Sequence, residues 1–145
     1  MRAVIQRVKQ SEVRIEGESV GSIDSGLLVF LAVHQEDTEE KVAKMADKVA
    51  HLRIFESEKG RMDLSVQDKQ EEVLVVSQFT LYGDCRKGNR PSFVGSASPE
   101  KAEPLYERFI QNMKDKGIKV ESGRFGEMME VGLINDGPVT LEVEI

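Results

Sequence analysis

An unbroken apolar run from Gly26 to Val33, GLLVFLAV, restricts the fold of this chain more than any other segment. The run has strand length and no polar face, so it predicts a central strand covered on both sides. Glu72 to Val76 reads as another buried strand, and it leads directly into the tetrapeptide Ser77-Gln78-Phe79-Thr80. Val13 and Ile15 alternate with Glu12, Arg14 and Glu16, which is the period of a strand with one wet face. Gly17-Glu18 then offers a turn, so the chain is expected to open with a β-hairpin.

Amphipathic helices would cover such a sheet. Asp37 followed by Glu40 has capping-box spacing, and Val42, Met45, Ala46 and Val49 share one helical face, predicting a helix over residues 38–51. Ser98-Pro99 opens a second helix, with Ala102, Leu105, Tyr106, Phe109, Ile110 and Met113 as its apolar face and Gly117 near its end. Ile118 to Val120, Met128 to Ile134, and the alternating Val139, Leu141, Val143 and Ile145 supply further strands, while the charged stretch Glu56 to Glu71 reads as loop or hairpin. The last strand fits either a subunit edge or an internal pairing. Many strands with two main helices, not in βαβ rhythm, predict an α+β fold with a largely antiparallel sheet or barrel-like β core. At 145 residues, one domain spanning residues 1–145 is expected.

Hydrophobic residues at 39% and charged residues at 32% are ordinary for a globular domain. The longest apolar run falls well short of the roughly 20 residues of a membrane span. The start, MRAVIQRV, lacks a signal-peptide core, so no membrane association and a cytoplasmic location are expected. Cys85 is the only cysteine, which excludes an internal disulfide and a CxxC zinc site. A net charge of −6 opposes coating of nucleic acid through a broad basic surface, since phosphate neutralisation supplies most of such affinity. A small local contact stays open, and Arg86, Lys87 and Arg90 form a basic loop that either touches phosphate or is plain solvated surface.

Reactive side chains are scarce. Neither His34 nor His51 sits in a triad or HExxH setting, and no Walker A, GxGxxG or EF-hand spacing occurs, so no metal and no cofactor are expected. The candidates are segments instead. In Ser77-Gln78-Phe79-Thr80-Leu81-Tyr82-Gly83-Asp84 an apolar strand turns abruptly polar, which marks either a strand end or a site. Asn135-Asp136-Gly137-Pro138 is a turn signal between strands, and its Gly-Pro bond is open to either isomer.

Together SQFTLYGD and NDGPVT resemble the two signature segments of the D-aminoacyl-tRNA deacylase family. The likeness extends to MRAVIQRV, to KGNRPSF at Lys87 to Phe93, and to Phe125-Gly126 through Met129. Glu127 departs from the family's usual small residue, and the chain ends in Glu-Ile where Leu-Asp is commoner.

The resemblance implies an enzyme that hydrolyses the ester joining a D-amino acid, or glycine mischarged on tRNA(Ala), to the 3′-terminal adenosine of tRNA. It implies a homodimer in which a cis Gly137-Pro138 enters the partner's pocket and rejects L residues by a built-in clash. Ser77, Gln78, Phe79 and Thr80 would be catalytic and Tyr82 would bind substrate alongside Gly137 and Pro138. Arg7 and Met129 would support the site, and Arg86, Lys87 and Arg90 would contact tRNA. Two mechanisms stay open: attack by the Thr80 hydroxyl, for which no base is assignable, or attack by water assisted by the substrate's 2′-hydroxyl, with backbone N–H groups around Phe79 and Thr80 holding the oxyanion. A non-catalytic module that binds aminoacyl-tRNA or a D-amino acid, and a structural dimerisation domain, are the alternative readings.

Overall fold

The computed structural model describes residues 1–145 as an α+β domain built on one curled sheet. Strand β1 (Arg2–Ile15) turns through Glu16 and Gly17 into β2 (Glu18–Ile23). Both turn residues have positive φ, as a two-residue hairpin loop requires, so the reversal falls one residue before the expected Gly17-Glu18. Strand β3 (Gly26–Ala32) continues along the same edge of β1: Ser11 to Ile15 pair with β2, and Arg2 to Val8 pair with β3.

Beyond β3 the sheet becomes parallel. Strand β6 (Glu72–Ser77) pairs with β3 and β7 (Val120–Ser122) pairs with β6, both in parallel register. An added Cβ on Gly21 would lie 2.6 Å from the Ser122 carbonyl oxygen, so β2 and β7 nearly close the sheet into a barrel. The expectation of a largely antiparallel sheet without βαβ units is therefore corrected to a mixed sheet with two parallel crossovers. Helix α1 (Glu39–His51) lies in the crossover from β3 to β6, and α3 (Pro99–Asp115) makes the crossover from β6 to β7. The first crossover also holds a hairpin, β4 (Phe55–Glu56) and β5 (Met62–Leu64), and the short helix α2 (Val66–Lys69). This third helix was not expected, because its one buried residue, Val66, gives no periodic signal among charges.

The apolar run is central because its alternate residues serve two cores. Leu27, Val29 and Leu31 join Val73 and Val75 beneath α1 and α3, where Met45, Val49, Phe109 and Met113 are fully buried. Leu28 joins Leu74, Val76, Val8, Val13 and Ile23 inside the barrel. Each such side chain contributes about 1.5–3 kcal/mol, and neither face of β3 leaves room for a polar residue.

Two local expectations change. The N-cap of α1 is Thr38, whose side chain accepts from the Lys41 N–H, while Asp37 lies outside the helix and its carboxylate binds the Met1 amino group and the His34 N–H. Asn135-Asp136-Gly137-Pro138 is not a turn between strands but lies inside one long strand, β8 (Glu130–Glu144), paired with β1. Gln6 pairs with Thr140 and Val8 with Asn135, so residues 136–139 bulge out opposite Arg7 alone.

Candidate active site

A cleft of about 620 Å³ opens at the carboxyl ends of the parallel strands β3 and β6. The barrel core forms its floor through Val76 and Val131, and the first turns of α3 form a wall through Pro99, Ala102 and Tyr106. Burial pushes the Tyr106 hydroxyl up to about 12, so it stays protonated and donates to the Val75 carbonyl. Phe125 stacks obliquely on Tyr106 and the turn from Phe125 to Met129 closes the far side.

At the mouth, β6 gives way to a 3-10 turn over Phe79–Tyr82. Its first internal hydrogen bond is donated by the Leu81 N–H to the Gln78 carbonyl, so the Phe79 and Thr80 N–H groups precede the turn's own bonding pattern. Ser77, Gln78 and Phe79 line the cleft, and Phe79 is exposed at its rim in an edge-to-face contact with Phe93, 5.2 Å between centroids. Ser96 Oγ donates to the Phe79 carbonyl, anchoring the turn from the other side. Thr80 is exposed beside the cleft, and its hydroxyl accepts from Gln78 Nε2 with no histidine or carboxylate hydrogen-bonded to it. Tyr82 lies behind the turn, its ring between the His34 ring at 5.1 Å and the Arg2 guanidinium at 4.9 Å, and burial raises its hydroxyl pKa.

Gly137 and Pro138 lie elsewhere in the chain. Their peptide bond is cis, and Gly137 has a φ of +130°. Arg7 is buried at 7% exposure opposite this bulge; its Nε donates to the Asp136 carbonyl at 3.2 Å and its Nη1 to the Ile54 carbonyl at 2.6 Å. The two segments do not meet within one chain. Ser77 is level with Ala3 through Leu31, whereas the bulge faces Arg7, a separation of about 13 Å along β1, and the segments lie off opposite edges of that strand. Met129 packs against the barrel core at the cleft's floor, with its sulfur over Gly123.

In the basic loop, Arg86 is committed to Asp84 through bonds of 2.9 and 2.7 Å and holds that carboxyl down to about 2. Lys87 and Arg90 are exposed and enter no ion pair, so they are the loop's free cations. Sequence patterns did not single out Ser96, Tyr106 or Phe125 as site residues. Nothing local distinguishes them, since each reads as a loop or apolar-face residue until the cleft assembles. No group of three or more His, Cys, Asp or Glu side chains gathers in metal-ligating geometry.

Fold and cleft together define a class: an α+β domain with a preformed, largely apolar pocket that has the polar end of a strand, Ser77 and Gln78, in its lining. The model of the D-Tyr-tRNA(Tyr) deacylase family matches residues 4–144. The D-aminoacyl-tRNA deacylase of Brevibacillus brevis is 58% identical over 144 residues, covering 99% of each chain, and that of Thermotoga petrophila is 58% identical over 141 residues, covering 97% of this chain and 95% of its own. A solved structure named c-Myc DNA Unwinding Element Binding Protein superposes with a TM-score of 0.94 at 40% identity, covering 100% of this chain and 99% of that one. A probable eukaryotic D-amino acid tRNA deacylase shares the fold, with a TM-score of 0.87 at 19% identity over 99% and 98% of the two chains. The chain belongs to the D-Tyr-tRNA(Tyr) deacylase family.

Proposed function

We propose that this protein hydrolyses the ester of D-aminoacyl-tRNA, and of glycine mischarged on tRNA(Ala), releasing the free amino acid and tRNA. The observation that carries the reading is the 3-10 turn at the cleft mouth, whose leading N–H groups, on Phe79 and Thr80, face no earlier turn of helix. Donors fixed in this way suit the oxyanion of an ester undergoing hydrolysis. Ser77, Gln78 and Phe79 frame the aminoacyl group and the 3′-terminal adenosine. The Lys87 and Arg90 cations meet backbone phosphate, a small contact compatible with a net charge of −6.

Gly137 and Pro138 exclude the L side chain from the pocket of a partner subunit, and Arg7 holds them in place. Two features support a homodimer with shared sites. Strand β8 pairs only with β1, which leaves its outer edge open to another chain. The bulge of one chain is also too far from that chain's own cleft to complete it.

Incubation with D-Tyr-tRNA and L-Tyr-tRNA, at low and high salt, tests the reading. Release of the D residue alone, with KM rising with salt, is expected. Retention of both esters would leave only a binding module.

The chemistry is best read as attack by water assisted by the substrate's 2′-hydroxyl, because the Thr80 hydroxyl has no base beside it. Thr80→Ala then removes one side-chain hydrogen bond, so kcat should fall by no more than about tenfold. Loss of an essential nucleophile would cost roughly 10⁴-fold or more, and single-turnover rates separate the outcomes.

A further inference from the structure

We propose that Arg2 is a positioning residue for ester hydrolysis, setting the pitch of the Phe79–Tyr82 turn; this rests on the reading of that turn as the oxyanion site. Its guanidinium bridges two elements, the turn and β8. Nη1 donates to the Leu81 carbonyl at 2.8 Å, inside the turn itself. The guanidinium carbon lies 4.9 Å above the Tyr82 ring, whose other neighbour is His34 at 5.1 Å. Nη2 binds Glu144 at 3.1 Å, and Nε lies 3.1 Å from Glu142 Oε1, in ion-pair contact without hydrogen-bond alignment.

Each contact has a reason in the sheet. Arg2 pairs directly across from Glu144 in the β1–β8 register, and Glu142, two residues back, projects from the same face. The two carboxylates would repel one another without a cation between them. A planar guanidinium satisfies both and still presents an N–H to a carbonyl on its far side, a division of donors that an ammonium cannot copy. Leu81 lies at the end of a turn too short to satisfy its own last carbonyls, so the bond from Arg2 fixes the turn where its geometry is softest. The Phe79 and Thr80 N–H groups inherit that orientation. Arg2 touches no reacting atom; it decides where the donors point.

The test compares wild type with Arg2→Gln, Arg2→Lys and the control Glu142→Gln/Glu144→Gln, using D-Tyr-tRNA. Glutamine is chosen over alanine because a small second residue invites removal of Met1, whose amino group is bound to Asp37. Arg2→Gln should lower kcat by roughly 10- to 100-fold while leaving KM within about threefold, because misdirected donors weaken the transition state and not the ground-state complex. Arg2→Lys should recover part of kcat, and the control should keep kcat near wild type because the Leu81 bond survives. A kcat for Arg2→Gln within twofold of wild type, or a loss that merely follows the unfolded fraction in a melting curve, would overturn the role of Arg2 alone. A wild type inert toward D-Tyr-tRNA would overturn the proposed function and this role together.

Discussion

A Gly137→Ala variant is expected to lose at least about tenfold of its preference for D- over L-aminoacyl esters. Gly137 has a φ of +130°, where an L side chain is strained whatever space surrounds it. Space is also lacking: an added Cβ would lie 2.8 Å from Val139 Cγ2, 3.0 Å from the Val139 nitrogen and 3.2 Å from Arg7 Nη2. None of these neighbours yields easily. Val139 is buried and its N–H donates to Asn135 Oδ1 at 2.8 Å, while Arg7 is held by the Ile54 and Asp136 carbonyls. The backbone of the bulge must therefore move, at a cost on the order of 1–3 kcal/mol, and the carbonyls proposed to refuse the L side chain move with it. Initial rates on D-Tyr-tRNA and L-Tyr-tRNA, with a melting curve as control for folding, measure the effect. A folded variant with an unchanged rate ratio would remove Gly137 from chiral selection.

That bulge also shows where sequence patterns stop. Strands β3 and β6 were legible because both of their faces are buried, which writes an unbroken apolar run into the chain. Helices α1 and α3 were legible because each buries one stripe against the sheet. The parallel order was not, since short charged elements between β3 and β6 masked a crossover. Asn135 to Pro138 carries every local mark of a turn, yet β1 is long enough to pair on both sides of it, and the pairing partner decides the outcome. The cleft is less legible still. Its walls come from β3, β6, the Phe93–Ala97 loop, α3 and the Phe125–Met129 turn, and of these the sequence marks only the polar end of β6, through its abrupt change of character and the resemblance in SQFTLYGD, and Met129 through the resemblance. Asp37 reads as a helix cap because its ion-pair partner, Met1, is set by tertiary structure and not by spacing.

Asp37→Asn is accordingly expected to cost about 3–5 kcal/mol of stability near neutral pH, the range for breaking one side of a buried ion pair. The Asp37 and Met1 side chains are both fully buried, and the Asp37 carboxylate lies 2.7 Å from the Met1 amino group in a buried hydrogen bond. The same amino group donates to the Ile145 carbonyl at 2.8 Å, so the pair ties the first strand to the last residue and to the start of α1. Burial alone would raise the Asp37 pKa. Hydrogen bonds from Met1, the His34 N–H and Lys41 outweigh it and hold the carboxyl below its ordinary value. A folded-state pKa below the unfolded one means stability that is complete above the unfolded value, about 3.9, and that drains away as pH falls through the folded value. The melting temperature of Asp37→Asn should therefore lie about 10 °C below wild type at neutral pH. That gap should close in acid, where a protonated Asp37 and an asparagine are both neutral. Thermal melts from neutral pH to well below about 3.9 follow the gap, which begins to narrow at the ordinary carboxylate value and closes only as pH falls through the depressed Asp37 value. A gap of the same size at both ends would assign the loss to packing, and the absence of any gap at neutral pH would show that the amino group finds another partner at no cost.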